Sequence, residues 1–268
     1  MNRAQPTPGS TALVIGAGAV GLLTAAMARQ SGCSTVTIAD VDQGRVDFAI
    51  AKGFATHGYV VPSSLHTSPS CSIYGGSSSA SSSGTSTPID GVMTPASTLS
   101  MQSQFDHAKS LAAEMLALSS SSSSNPLFAN DDFNDEDDGV DVTFECTGKE
   151  VCMHTSLYAT RAGGRVIMVG MGTPVQTLPM SVAHLREIDI LGIFRYANTY
   201  ATGIRLLCAR ERMAKSGAGA AGGWVLPSLD EMVTHRFKGL ENAHRAFELA
   251  SRTVDEEGRL VLKVVIEA

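Results

Sequence analysis

The stretch TALVIGAGAVGLLTAAMARQ, residues 11–30, decides the fold of this chain. Its first five residues are apolar and end at a glycine, which is typical of a buried strand. Residues 21–31 then follow a helical pattern. Between the two elements lie three glycines spaced as G-x-G-x-x-G: Gly16, Gly18 and Gly21. The stretch therefore predicts a strand, a tight turn and a helix, the beginning of a βαβ unit.

Each glycine of this turn has its own physical task. Gly16 permits the tight turn out of the strand, Gly18 lets the backbone approach a pyrophosphate, and Gly21 lets the helix lie close to the sheet. Ala19 and Val20 lie in the turn and are predicted to contact the cofactor. The free N–H groups and the dipole at the start of the following helix favour an anion. The turn therefore predicts a dinucleotide site.

An acid follows at the spacing that such a site requires. Asp40 ends the next strand-like run, TVTIA (35–39), and lies 19 residues beyond the last glycine, against about 20 in dinucleotide-binding folds. Its carboxylate would accept hydrogen bonds from the adenosine ribose hydroxyls and repel a 2′-phosphate, so NAD is favoured over NADP. The alternative is a turn or capping acid. Arg45 either lines the adenine side of the pocket or is an ordinary exposed helix residue.

A methyltransferase is the rival from another class, because S-adenosylmethionine enzymes also use a glycine turn and a ribose-binding acid. The rest of the chain continues the alternation of strands and helices. Six strand-like runs lie at 11–15, 35–39, 57–61, 140–146, 164–170 and 188–194. Helical patterns lie at 21–31, 42–53, 105–118, 150–160 and 199–212. Right-handed βαβ units of this kind predict an α/β Rossmann fold, a doubly wound parallel six-stranded sheet with helices on both faces.

Low-complexity segments interrupt this pattern. We predict disordered insertions rich in Ser, Gly and Asp at about 63–103, 119–138 and 214–223, because they hold too few large apolar residues to offset their ordering entropy. The second insertion carries the whole net charge of −6 on six acids, Asp131, Asp132, Asp135, Glu136, Asp137 and Asp138. The NAD-binding domain is thus predicted over 11–232, and residues 233–268 form a separate helix and strand segment.

Composition narrows the class of protein. The net charge of −6 gives no indication of a nucleic-acid surface. The five cysteines form no Cys-x-x-Cys pair and are odd in number, which favours reduced thiols. The start of the chain has no apolar core typical of a signal peptide, and no apolar run approaches the ~20 residues of a membrane helix. We therefore expect a cytoplasmic protein that binds neither nucleic acid nor membrane.

The later segments carry a family resemblance. The relevant runs are FECTG (144–148), YATRAGGRVIMVGMG (158–172), TLPM (177–180), LREIDILGIFRYANTY (185–200) and VTHRF (233–237). Together they closely resemble the C-terminal, cofactor-binding half of zinc-dependent medium-chain dehydrogenases of the polyol branch, the sorbitol, xylitol and L-arabinitol dehydrogenases. This resemblance argues against the methyltransferase.

The resemblance implies roles for matching positions. At the sheet edge where the cofactor passes would lie Cys146, Thr147 and Gly148. The nicotinamide-ribose pocket would be lined by Val169, Gly170 and Met171. The nicotinamide and the polyol would be faced by Phe194 and Arg195, with Tyr196 close by on the substrate side. Without the resemblance, an arginine at the end of a strand is usually a solvated charge.

The family also implies a partner and a metal. The strand at 188–194 resembles the edge that pairs across a dimer in these enzymes, so a homo-oligomer is expected. Family members transfer a hydride from a secondary alcohol of a polyol to NAD, with a catalytic zinc that polarises the alcohol oxygen. The zinc ligands lie N-terminal to the strand that begins here at Thr11, and no histidine of this sequence matches a ligand position.

Two functional expectations follow. The first is the NAD-binding portion of a polyol dehydrogenase, impaired in hydride transfer because the zinc-binding domain has no counterpart here, with no catalytic or metal residue assigned. The alternative is a non-catalytic NAD-binding module or regulatory partner. The resemblance also implies that residues 233–268 are the return segment of a catalytic domain whose N-terminal part has no counterpart here. The last strand, at 260–266, has no obvious sheet to join, and we expect it to be exposed, docked non-natively, or completed by another chain.

Overall fold

A computed structural model describes residues 1–62, 95–120, 139–215 and 225–267. Six strands form its main sheet: β1 (Thr11–Ile15), β2 (Thr35–Asp40), β3 (His57–Val60), β4 (Val140–Glu145), β5 (Thr160–Met168) and β6 (Asp189–Gly192). All five pairings are parallel, in the order β3-β2-β1-β4-β5-β6. The order reverses at β1, so the predicted doubly wound α/β fold is confirmed.

The helices largely follow the predicted pattern. They are α1 (Ala19–Gln30), α2 (Gln43–Ala51), α3 (Pro95–Ser120), α4 (Glu150–Ala159), α5 (Met180–Leu185), α6 (Tyr200–Lys215) and α7 (Ala243–Ala250). Helix α3 begins ten residues before its predicted start and includes the end of the first predicted insertion. A proline is well tolerated in a first helical turn, and this helix begins at one. The remainder of the three predicted insertions lies outside the described residues, apart from the ends of α3 and α6.

The sheet is covered on both faces, as its continuous apolar strands predict. One face packs α1 and α2 against the sheet through buried side chains that include Leu22, Val36, Phe54 and Phe144. The other face packs α3 against the sheet through Leu13, Ile15, Leu111, Ala112 and Met115. Burial on both sides fixes the strands, and their carboxyl ends form one common edge.

The segment after residue 232 forms a second, small sheet. Strand β7 (Val233–Lys238) pairs in parallel with strand β8 (Lys263–Glu267). The expectation that the last strand has no sheet to join is therefore wrong, because β7 supplies its neighbour. The strand also begins later than predicted. Val261 is buried and Leu262 packs against the main core, so residues before Lys263 serve as contacts to the large domain.

Candidate cofactor site

The glycine turn after β1 is built so closely that side chains are excluded from two of its positions. Gly16 has a φ of +104°, which favours glycine. A Cβ on Gly21 would lie 1.7 Å from the carbonyl oxygen of Gly16, and a Cβ on Gly16 would lie 2.9 Å from Cγ2 of Thr147. The turn is therefore pressed between the first turn of α1 and the segment that follows β4.

Gly18 differs from the other two glycines, because the space around it is open. It is the N-cap of α1 with an ordinary φ of −73°, and no side chain caps the helix. A Cβ at this position would meet no atom within 4 Å. The first N–H groups of α1, including those of Ala19 and Val20, point from an uncapped helix start that can receive an anion. The turn therefore fits the pyrophosphate of a dinucleotide.

Asp40 is held beside the same turn. Its Oδ2 accepts a hydrogen bond from the N–H of Ala17 at 2.6 Å, and its Oδ1 accepts one from the N–H of Asp42 at 3.0 Å. The capping role belongs to Asp42, whose side chain accepts the N–H of Arg45 at the start of α2. Because each carboxylate oxygen can accept a second bond, Asp40 retains acceptors for ribose hydroxyls.

Arg45 is in the first turn of α2, and its side chain contacts the segment that connects β7 to β8. Its Nη2 donates to the carbonyl oxygen of Val261 at 3.4 Å, and its buried Nε has no hydrogen-bond partner. A Cβ on the neighbouring Gly44 would lie 3.6 Å from Leu260. Arg45 is thus half-buried rather than an ordinary exposed helix residue. Its guanidinium contacts a residue 216 positions away in sequence, and its place on the adenine side of the pocket stays a prediction.

The turn after β4 contains a residue that the sequence analysis missed. Glu145 ends the strand and is buried. Its carboxylate accepts the N–H of Thr147 at 2.7 Å and the N–H of Gly148 at 2.9 Å. The signal in the sequence is an acid at the end of the strand-like run VDVTFE (140–145). Glu145 therefore organises the turn that contains Cys146, Thr147 and Gly148.

The turns after β4 and β5 are packed against each other. A Cβ on Gly170 would lie 2.1 Å from the backbone nitrogen of Gly148. A Cβ on Gly172 would lie 1.5 Å from the carbonyl oxygen of Gly148. The N–H groups of Val169 and Gly170 both donate to the carbonyl oxygen of Glu145 at 2.8 Å. The predicted nicotinamide-ribose residues therefore lie directly beside the predicted cofactor edge.

Helix α4 holds the segment that continues from this edge. The Nε2 atom of buried His154 lies 2.6 Å from the carbonyl oxygen of Thr177, and the N–H of Thr177 donates to Glu150 at 3.2 Å. Gln176 donates from Nε2 to the carbonyl oxygen of Gly148 at 3.2 Å. These contacts keep residues 173–177 close to the edge while Met171 stays exposed.

The residues predicted to face the nicotinamide and the polyol follow β6 and lie on the surface. Phe194 and Tyr196 are 75% and 65% exposed, so neither is enclosed by the described residues. The guanidinium carbon of Arg195 lies 5.1 Å from the centre of the Phe194 ring, and Arg195 has a φ of +54°. The Tyr196 ring packs edge-on against Tyr200 with centroids 5.0 Å apart. The segment is adjacent to the edge through Ile193, whose N–H donates to Met168 at the end of β5.

The thiols of Cys146 and Cys152, near the cofactor edge, are expected to react slowly. Burial raises the pKa of Cys146 to about 12 and that of Cys152 to about 11. Cys208 is exposed. At pH 8 the two raised thiols are almost entirely protonated, and only the thiolate reacts.

We therefore expect iodoacetamide at pH 8 to label Cys208 well before Cys146 and Cys152 in the folded protein. Peptide mass mapping of the labelled sites against time measures the order. Equal rates for the three cysteines in folded protein would contradict the burial of this edge. Labelling in denaturant provides the reference, since all three thiols are then exposed.

Metal ligands are not assembled in the part of the chain that the structure describes. Within residues 1–62, 95–120, 139–215 and 225–267, no group of three His, Cys, Asp or Glu side chains is placed to hold a metal ion. These residues do not fit the zinc of the family. The same described ranges contain no helix long and apolar enough to cross a membrane.

Comparisons with known proteins agree with this geometry. Residues 96–209 match a family model described as zinc-binding dehydrogenase. The sorbitol dehydrogenase of Gallus gallus is 41% identical over 112 residues, which are 42% of this chain and 27% of that protein. That of Homo sapiens is 40% identical over 108 residues, which are 40% of this chain and 26% of that protein. The matched segment thus spans about a quarter of these relatives.

Solved structures share the fold of the whole chain. The L-idonate 5-dehydrogenase of Escherichia coli K-12 superposes with a TM-score of 0.59 at 18% identity, over 100% of this chain and 52% of that one. A dehydrogenase of Escherichia coli CFT073 complexed with NADH superposes with a TM-score of 0.55 at 14% identity, over 98% of this chain and 53% of that one. Together with the sequence matches, these comparisons confirm the resemblance to the C-terminal half of polyol-type medium-chain dehydrogenases.

Proposed function

We propose that this chain, which carries the cofactor-binding domain of a polyol-type medium-chain dehydrogenase, binds NAD across the carboxyl edge of its main sheet. The observation that carries the proposal is the hydrogen bond between the glycine turn and Asp40. Asp40 accepts the N–H of Ala17 inside the turn, directly before the uncapped start of α1. One short segment therefore offers both an anion site and a ribose acceptor.

The order of the strands supports a course for the cofactor across the sheet. The adenosine ribose would lie at Asp40 on the β2 side, and the pyrophosphate at Gly18. The nicotinamide half would then cross to the β4 and β5 side, where the turns at 146–148 and 169–171 are packed together. When bound, NAD supplies the acceptor for a hydride. The residues of this chain bind it and orient its two halves.

We further propose that the substrate class is a polyol and that Arg195 and Tyr196 contact it. Both side chains are exposed beyond β6 and carry hydrogen-bond donors suited to hydroxyl groups. Because the described residues offer no zinc site, we expect this chain by itself to oxidise polyols far more slowly than its full-length relatives. Assays with sorbitol, xylitol or L-arabinitol, NAD and zinc test this point. Turnover at ordinary enzyme rates would contradict it.

The second candidate is an NAD-binding module without turnover that pairs with a full-length relative. This candidate is favoured by the same lack of a metal-ligand group among the described residues, together with the close packing of the turns at the cofactor edge. Co-purification of the chain with a full-length polyol dehydrogenase would support this candidate. A chain that binds NAD but stays alone in the presence of that relative would speak against it.

Replacing Asp40 with asparagine is expected to remove the preference for NAD over NADP. The asparagine oxygen can still accept one N–H of the turn, while the charge that repels a 2′-phosphate is lost. We expect the ratio of the dissociation constants of NADP and NAD to fall by about tenfold, or ~1.4 kcal/mol. Calorimetric titration of both cofactors measures the ratio. Asp47→Asn, an exposed change on α2, is the matched control.

If the ratio in Asp40→Asn equals that of the wild type, Asp40 is not the residue that faces the adenosine ribose. If both proteins bind NADP as tightly as NAD, the proposed cofactor preference is wrong.

We also propose that the free edge of β6 pairs with a second copy of the chain. Among the described residues the strand has a neighbour, β5, on one side only, and the apolar residues Ile193 and Phe194 follow it on the surface. An open strand edge of this kind favours pairing with another chain. Sedimentation equilibrium is expected to show a dimer at micromolar concentration. A monomer throughout the concentration range would contradict the pairing.

A further inference from the structure

Glu145 is a buried acid whose hydrogen bonds all have the same direction. It is 3% exposed and accepts the N–H groups of Thr147 and Gly148. It also accepts the hydroxyl of Thr147. The Thr147 hydroxyl oxygen in turn accepts the N–H of Lys149 at 3.0 Å. Hydrogen bonds from N–H and O–H donors to a carboxyl group favour its charged form.

This charge has no cationic partner. Among the described residues, no Lys, Arg or His side chain forms a salt bridge with Glu145, and its surroundings supply only neutral donors. Its negative field reaches the neighbouring groups. After burial, which is the larger cause, the charge of Glu145 further raises the pKa of the Cys146 and Cys152 thiols. Buried charges act over longer distances than exposed ones, since water screens them less.

The position of this charge follows from the order of the strands. A dinucleotide crosses a doubly wound sheet at the point where the strand order reverses, with one nucleotide on each side. Asp40 on β2 marks the adenosine side, so the nicotinamide side is β4, on the opposite flank of β1. Glu145 is the last residue of β4. A Cβ on Gly170, in the adjoining turn, would lie 2.8 Å from its Oε2 atom.

We propose that the Glu145 carboxylate stabilises the positively charged nicotinamide ring of NAD⁺ over the neutral ring of NADH, and so biases the chain toward the oxidised cofactor. The inference rests on the proposed function, because it requires that the chain binds NAD. It adds a property that the site residues predicted from the sequence do not provide. None of them places an unpaired negative charge under the nicotinamide half.

The test compares two dissociation constants in the full chain. Calorimetry gives the value for NAD⁺ and fluorescence titration gives the value for NADH, in the wild type and in Glu145→Gln. We expect the preference for NAD⁺, expressed as the ratio of the NADH constant to the NAD⁺ constant, to fall by about three- to tenfold in the variant, as a single charge at several ångströms predicts. The change should come mainly from weaker binding of NAD⁺.

The matched control is Thr147→Ala. It removes a hydrogen bond from the same turn and leaves the charge in place, so it should weaken both cofactors by the same factor. A purely structural role of Glu145 would give the same result in Glu145→Gln. An unchanged ratio in that variant would therefore overturn the inference, while measurable binding of both cofactors would leave the proposed function intact.

Two further outcomes differ from an unchanged ratio: a wild type that binds neither cofactor, and a variant that does not fold. A wild-type chain that binds neither cofactor contradicts the proposed function itself. If Glu145→Gln does not fold, Glu145→Asp takes its place. It keeps the charge, so it is expected to keep the wild-type ratio of the two constants. A ratio in Glu145→Asp that differs more than about threefold from that of the wild type would overturn the inference.

Discussion

Replacing Gly21 with alanine is expected to lower the free energy of unfolding by about 3 kcal/mol. The new methyl carbon would lie 1.7 Å from the carbonyl oxygen of Gly16, which is part of the backbone and cannot rotate away. Relief requires that α1 moves off the turn, and α1 carries core residues such as Leu22 and Ala25. The loss of stability should therefore appear in the whole domain.

Urea unfolding followed by circular dichroism measures this loss. The matched control is Gly203→Ala in the first turn of α6, where an added Cβ would meet no atom within 4 Å. Alanine is the better helix former, so this control should gain about 0.5–1 kcal/mol. A Gly21→Ala protein as stable as the wild type would show that α1 does not lie against the turn.

The second large effect is expected at Gly18, on binding rather than on stability. An added Cβ at Gly18 meets only open space, and its φ of −73° suits any residue. That space is where the proposed pyrophosphate approaches the helix start. Gly18→Val should therefore weaken NAD binding about 100-fold, or ~2.7 kcal/mol, with Gly18→Ala in between.

The unfolding free energy of both Gly18 variants should stay within about 1 kcal/mol of the wild type, since only the preference for an N-cap residue changes. Calorimetric titration with NAD, together with urea unfolding of the same preparations, separates the two quantities. Unchanged NAD affinity in Gly18→Val would place the pyrophosphate elsewhere. Parallel losses of affinity and stability would show that Gly18 is structural, as Gly21 is.

The parts of the fold that could be predicted from the sequence depend on local physics. The strand at 11–15, the glycine turn and α1 each follow from residues next to one another, and the required glycines indicate the turn. Asp40 could be predicted for the same reason, because its spacing from Gly21 can be read from the sequence. What the spacing does not show is that Asp40 binds the turn itself, through the N–H of Ala17.

The parts that sequence analysis missed depend on distant contacts. β8 pairs with β7 across a connection of 24 residues, 239–262, which includes α7, so neither strand by itself shows its neighbour. The contact of Arg45 with Val261 joins residues 216 positions apart. Glu145 was missed because its burial results from the packing of two turns, those after β4 and β5, and no pattern within VDVTFE indicates that packing.

The most direct test of the central claim is a calorimetric titration of the wild-type chain with NAD, and with NADP and S-adenosylmethionine in parallel. The built cofactor edge predicts one NAD site per chain, with NADP bound about tenfold more weakly and S-adenosylmethionine not bound at the same concentrations. A chain that shows no heat of binding with NAD, or that binds S-adenosylmethionine more tightly, would contradict the claim.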